Sequence, residues 1–255
     1  MDHDKFVDNL DSDLSWRKKE ISDLYSATQK NNSTVLRKSL VLVIYAHWEG
    51  FIKNGAKLYL FHIESKKLQL KNLTENYKAI SLKGVIAECF NSNEGLSLNK
   101  ELDFIDKFDN KGERIFKLQS KVKLDKDKSL INTKDNLNPE IFNSICRIIG
   151  IPEKDSIKSR SNWLNEHFLG NRNTISHGSK IELDKPEEFD LSIESLYELK
   201  NIILTILSNF KEDLVEYSEY EYFLNANSEI KATYDSGSNS SLISKIMEFT
   251  TIDSH

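Results

Sequence analysis

The chain has 255 residues, with 35 Lys and Arg against 40 Asp and Glu, a net charge of −5, and 38% hydrophobic residues. These are the proportions of a globular protein with a sizeable core. No run approaches the ~20 apolar residues that cross a bilayer, and the acidic start "MDHDKFVDNLDSD" is unlike a secretory leader. Cys89 and Cys146 stand alone, which argues against a disulfide framework or a cysteine zinc site and for a reducing cytoplasm.

Residues 4–30 are predicted to form a helix, with Phe6, Leu10, Leu14, Ile21 and Leu24 at near-helical spacing. "NNST" offers capping side chains for a second, longer helix from about Val35. Its centre, "LVLVIYAHW", is apolar nearly all round, the mark of a helix buried on several sides. A third helix is expected over Asn76–Phe90, and a fourth in "LSLNKELDFIDKF". From Lys111 to Lys134 eight Lys and Arg face three acids. This polar, aperiodic stretch is either a solvated loop or a track for a phosphate backbone, with Lys117, Lys121 and Lys123 as its contacts.

"NLNPEIFNSICRIIGIP" is a punctuated short helix: Asn138 caps it, Pro139 opens it, Gly150 ends it and Pro152 prevents a restart. "SNWLNEHFLGNRNTISHG" is the next, ending at Gly178. A long helix from about Glu187 carries Leu196, Leu199, Ile203, Ile206 and Phe210 at alternating spacings of three and four, a bundle-facing stripe. The expected organisation is one all-α helical domain over 1–225, followed by a polar, mobile tail over 226–255 with a short terminal helix at "LISKIMEF". Sixteen acids against five Lys between Glu182 and Asp253 are read mainly as solvated surface.

Chemistry-bearing motifs are scarce. There is no Gly-rich phosphate loop, HExxH or GxSxG, and the six histidines show no metal-ligand spacing, so neither a metal nor a cofactor is expected. What remains is Arg172 followed by His177, with Arg160 and His167 as a rival pair. Asn173 lies one helical turn before His177, where its amide can orient the imidazole. His177 falls in the last turn, where a ring is exposed, whereas His167 falls mid-helix and reads as a partly buried spacer. His177 has a plainer reading as a helix-end residue that favours the dipole, and Arg172 as a surface or ion-paired arginine. Glu49 is either a supporting partner that orients Arg172 or the i,i+4 partner of Lys53. His47 reads as a core histidine; Tyr45, Trp48 and Trp163 read as packing residues.

"RNTISHG" resembles the signature of the HEPN superfamily, an arginine, a polar residue and then a histidine four to six positions on. "VIYAHWEGFIKNGAKLY" and "INTKDNLNPEIFNSICRIIGIP" resemble the central helix and the segment preceding the signature helix in its bacterial single-domain, MAE-like branch. The resemblance implies an all-α HEPN-like bundle with long central helices and an inserted region. It also implies a metal-independent endoribonuclease of the toxin or phage-defence type, acting on tRNA or mRNA in the cytoplasm and leaving 2′,3′-cyclic phosphate ends. Arg172, Asn173 and His177 then carry the reaction, in a composite site across a homodimer, restrained by an antitoxin or neighbouring-gene partner. The alternative is a non-catalytic HEPN module that binds a nucleotide or a protein such as a nucleotidyltransferase-like antitoxin.

Overall fold

The computed structural model describes residues 1–31, 33–90, 98–109, 111–118, 130–134, 136–178 and 190–250. Lys121 and Lys123, the expected helix start at Glu187 and the last five residues lie outside them. Two long helices dominate the first quarter of the chain: α1, His3–Lys30, and α2, Thr34–Ser65. Asp2 caps α1, accepting a hydrogen bond from the Lys5 amide. Ser33 precedes α2 but makes no side-chain cap, while Asn32 of "NNST" lies outside the described residues.

Then come α3, Glu75–Phe90, and α4, Asn99–Asp109. Next are α5, Pro139–Ile149, and the five-residue α6, Asp155–Ser159. A helix we call α7 runs over 161–176, α8 is Ile193–Glu219 and α9 is Ser228–Thr250. Among the described residues there are only isolated bridges and no strand, Gln69 with Ile115 and Leu73 with Leu224.

Helix α2 is the hub, as its all-round apolar sequence requires. It packs against α1, α5, α7 and α8 and buries Leu40, Val41, Ile44, Trp48, Phe51, Tyr59 and Ile63, among others. Gly55 lets α8 approach: a Cβ there would sit 3.1 Å from the Phe210 ring and 3.2 Å from a Leu214 methyl. The stripe predicted on α8 is buried at all five positions. Helix α5 follows its punctuation, with Asn138 accepting from the Ile141 amide and Gly150 left-handed at φ +83°. The Trp48 indole N–H reaches the Leu137 carbonyl at 2.9 Å, fixing the approach to α5 against the hub.

Two expectations need correcting. The polar segment after Asn225 is not a mobile tail over 228–250. It is a 23-residue helix that buries Leu242 and Ile246 against the core. The reason is a buried polar network that a hydrophobic pattern does not reveal. Lys154 and Asp213, 1% and 0% exposed, pair at 2.6 Å. The Ser238 hydroxyl of α9 donates to Asp213 at 2.6 Å and accepts from Lys154 Nζ at 2.9 Å. Tyr234 of α9 adds a third donor to Asp213 at 3.0 Å.

The basic stretch is irregular over 114–118, as its aperiodic sequence predicts, but it is not solvated throughout. Residues 114–118 lie beside the end of α2: Phe116 is fully buried, its amide bonds the Leu68 carbonyl at 2.9 Å, and the Leu118 amide bonds the Glu64 carboxylate at 2.9 Å.

Candidate functional site

Three elements meet around Arg172: the middle of α2, the last turns of α7 and residues 133 and 137, which precede α5. Helix α7 is not the straight α-helix its pattern predicts. Leu164–Gly170 is a π-helix between α-helical Ser161–Trp163 and Asn171–Ser176. A π turn takes in one residue more than an α turn, so the residues beyond it are rotated by about 100° from a straight helix. Gly170 suits the wide turn, since a Cβ there would press on the Asn165 carbonyl oxygen at 3.3 Å. The Asn171 side-chain Nδ2–H donates to the His167 carbonyl at 2.6 Å, covering a backbone acceptor where the ladder changes register.

The rotated turn lays Arg172 over Tyr45 of α2. Its guanidinium carbon lies 4.1 Å from the ring centroid, a cation–π contact made by a group with five N–H donors. One of those donors, Nη1–H, reaches Asn173 Oδ1 at 2.8 Å. Beneath, the Tyr45 hydroxyl accepts from the Leu137 amide at 2.8 Å and interacts with the Glu49 carboxylate. Burial, and then the Glu49 charge, push the Tyr45 phenol up to about 12, so it stays a protonated donor at neutral pH. The Thr133 hydroxyl donates to Glu49 in turn. Glu49 thus touches the Tyr45 hydroxyl, while Arg172 lies over the ring of the same tyrosine.

His177 ends α7. Its amide bonds the Asn173 carbonyl at 3.0 Å, and Gly178 follows in the left-handed conformation at φ +74°. The imidazole is exposed, as a last-turn position predicts. The side-chain bond expected between Asn173 and His177 is absent: the Asn173 carboxamide oxygen serves Arg172, and its link to His177 is through the backbone. Five residues of helix turn through about 140°, and Arg172 leans on the hub while His177 faces solvent.

The rival histidine departs from expectation. His167 is exposed rather than a partly buried spacer, because the π segment turns it off the packed face that Leu164, Phe168 and Leu169 occupy. Its ring lies 5.8 Å from that of Trp163, tilted by 38°. His47 is buried as predicted, its Nε2 2.8 Å from a Glu20 carboxylate oxygen and its Nδ1 3.4 Å from Arg17. Lys117 is exposed but is not brought to Arg172. The Leu118 amide is tied to Glu64, and 19 residues of α2 separate Glu64 from Tyr45, about 28 Å of helix.

The sequence pattern does not announce Tyr45 as the platform for Arg172, Thr133 as the partner of Glu49, or the π turn. The usable signals are Tyr45 four residues before Glu49 on one face of α2, and a glycine in the middle of an otherwise unbroken helical pattern.

The model of a protein family described as HEPN_MAE_28990-like HEPN matches residues 6–223, most of the chain and all three elements of this site. No curated protein and no solved structure matches. The arginine and histidine of "RNTISHG", on an all-helical frame covered by that match, place this chain in the HEPN superfamily, in its MAE-like branch.

Proposed function

We propose that the chain is a metal-independent endoribonuclease whose active site forms when two copies meet. The observation that carries this reading is the held guanidinium: Arg172 rests on the Tyr45 ring and is steered by Asn173, one turn before an exposed imidazole. A fixed fork of N–H donors suits the phosphate oxygens of a scissile phosphodiester and the charge they gain in the transition state. An exposed imidazole suits proton transfer near neutral pH. One His177 takes the proton of the ribose 2′-hydroxyl as its oxygen attacks phosphorus. The bond from phosphorus to the 5′ oxygen breaks, and the partner's His177 returns a proton to that oxygen. The products are a 2′,3′-cyclic phosphate and a 5′-hydroxyl. Each chain supplies half of the site, so the reading requires a homodimer, with tRNA or mRNA as substrate and a restraining partner in the producing cell.

The test is expression of wild type and His177→Ala in bacteria, followed by assay of the purified proteins on RNA in EDTA. The expected result is slowed growth and cyclic-phosphate ends with wild type only, from a protein that light scattering measures as a dimer. RNA left equally intact by both overturns the reading in favour of a module that binds nucleotide or protein without cutting.

A further inference from the structure

A cleft of about 180 Å³ opens between α2, α7 and α8, next to the elements that hold Arg172. Val41, one turn before Tyr45 on α2, and Asn171, next to Arg172 on α7, both line it. Val41 of the cleft and Tyr45 under the guanidinium are thus neighbours one helical turn apart, about 6 Å along α2.

Part of the lining is apolar and aromatic: Val41 and Leu199, with the Trp163 and His167 rings one turn apart on α7. The lining also carries carboxylates. Asp190 is held in place by the Ser192 amide at 2.8 Å and by the Ser195 hydroxyl, and half-buried Glu198 lies one turn beyond Ser195 on α8. Two carboxylates repel phosphate, so this is not where the RNA backbone runs. Aromatic rings beside an acceptor-rich wall instead suit an unstacked base, held by its face and read along its Watson–Crick edge.

We infer that this cleft is a nucleobase subsite selective for guanine, with Glu198 as the reading residue; the inference rests on the nuclease reading for its place beside the scissile phosphate. The choice of base follows from donor patterns. Guanine presents two neighbouring donors, N1–H and N2–H, which match the two oxygens of one carboxylate. Adenine and cytosine present one donor beside a ring-nitrogen acceptor, and uracil one donor between two carbonyls, so each would set lone pairs against lone pairs. Each carboxylate oxygen has two acceptor sites, so a bond Glu198 makes within the protein leaves capacity for the base. Trp163 and His167 supply stacking for any base and select none.

The test is calorimetric titration of the full-length protein with 5′-GMP, AMP, CMP and UMP, alongside mapping of cut sites on a mixed-sequence RNA. The expected result is GMP binding at least about tenfold tighter than the others, ~1.4 kcal/mol, with guanine at a fixed position beside every cut. Glu198→Gln, which replaces one acceptor oxygen by a donor, removes the preference for GMP. Trp163→Leu weakens all four nucleotides together. Equal binding of the four nucleotides by wild type overturns the inference, as does a preference that survives in Glu198→Gln. If Glu198→Gln fails to fold by circular dichroism, the wild-type series decides alone. Cutting without a guanine rule sinks the subsite and leaves the nuclease standing, whereas GMP selectivity without cutting does the reverse.

Discussion

Tyr45 lets the two roles of one side chain be separated. Tyr45→Phe removes only the hydroxyl. It strands the buried Leu137 amide and takes a partner from Glu49, a cost of about 1–3 kcal/mol, but it keeps the ring under Arg172. Tyr45→Leu loses the hydroxyl as well, together with the cation–π contact at 4.1 Å, worth about 1–2 kcal/mol when partly desolvated. It also loses the ring pair with Phe168 at 5.9 Å, about 0.5–1.5 kcal/mol. Urea unfolding followed by circular dichroism should therefore rank wild type, Phe and Leu in that order, with Leu about 2–3 kcal/mol below Phe. Activity should split differently. If the platform pre-orients the guanidinium, releasing it costs up to the same 1–2 kcal/mol in the transition state, about 5–30-fold in rate. Tyr45→Phe should stay within about threefold of wild type, less than 0.7 kcal/mol. Equal rates in the two variants, at substrate levels that saturate both, would refute a positioning role for the ring.

Two more outcomes rest on buried polar groups. Asp213→Asn leaves the Lys154 ammonium buried without its counter-charge and should cost about 3–5 kcal/mol in urea unfolding, whereas Lys154→Met combined with Asp213→Leu should recover most of that loss; a single-variant cost below about 1 kcal/mol would contradict the pair's importance. His62 is held neutral: burial first, and then the Lys66 charge, pull its pKa from 6.5 to about 4. Its Nδ1–H donates to the Met1 carbonyl and its Nε2 accepts from the Ser218 hydroxyl. The folded state therefore binds this proton less readily than the unfolded chain, so stability falls as pH drops below 6.5. The fall should reach about 2 kcal/mol at pH 5, about 3 kcal/mol below pH 4, and nothing above pH 7.5. Urea midpoints at pH 7.5 and 5 should diverge more in wild type than in His62→Gln, and equal shifts would count against it.

Much of the fold is legible in the sequence because hydrophobic period and helix punctuation act locally. Asn138, Pro139 and Gly150 bound α5 through backbone preferences that need no tertiary partner, and Gly178 takes the conformation its position requires. The apolar run on α2 announces a hub because no amphipathic surface helix would carry it. The features that escape depend on contacts distant in sequence. Ser238 and Tyr234 look like solvated tail residues until they meet Asp213 and Lys154. Tyr45 looks like packing until Arg172 settles on its face. The π turn defeats a pattern drawn for 3.6 residues per turn, which is why the period puts His167 on the wrong side of its helix. The arginine and histidine themselves are visible, but the role of Asn173 is not, because two neighbours compete for its one carboxamide oxygen.

The reliance of Asp213 and Lys154 on α9 also bears on when the molecule matures. Both residues lie inside the stretch shared with the family, while Ser238 and Tyr234, which cover them, lie beyond its end at residue 223. A ribosome delivers the charged pair before its cover, so the core stays unsealed until α9 has left the exit tunnel. A gene trimmed to the family's outline would encode a product with that seam permanently open.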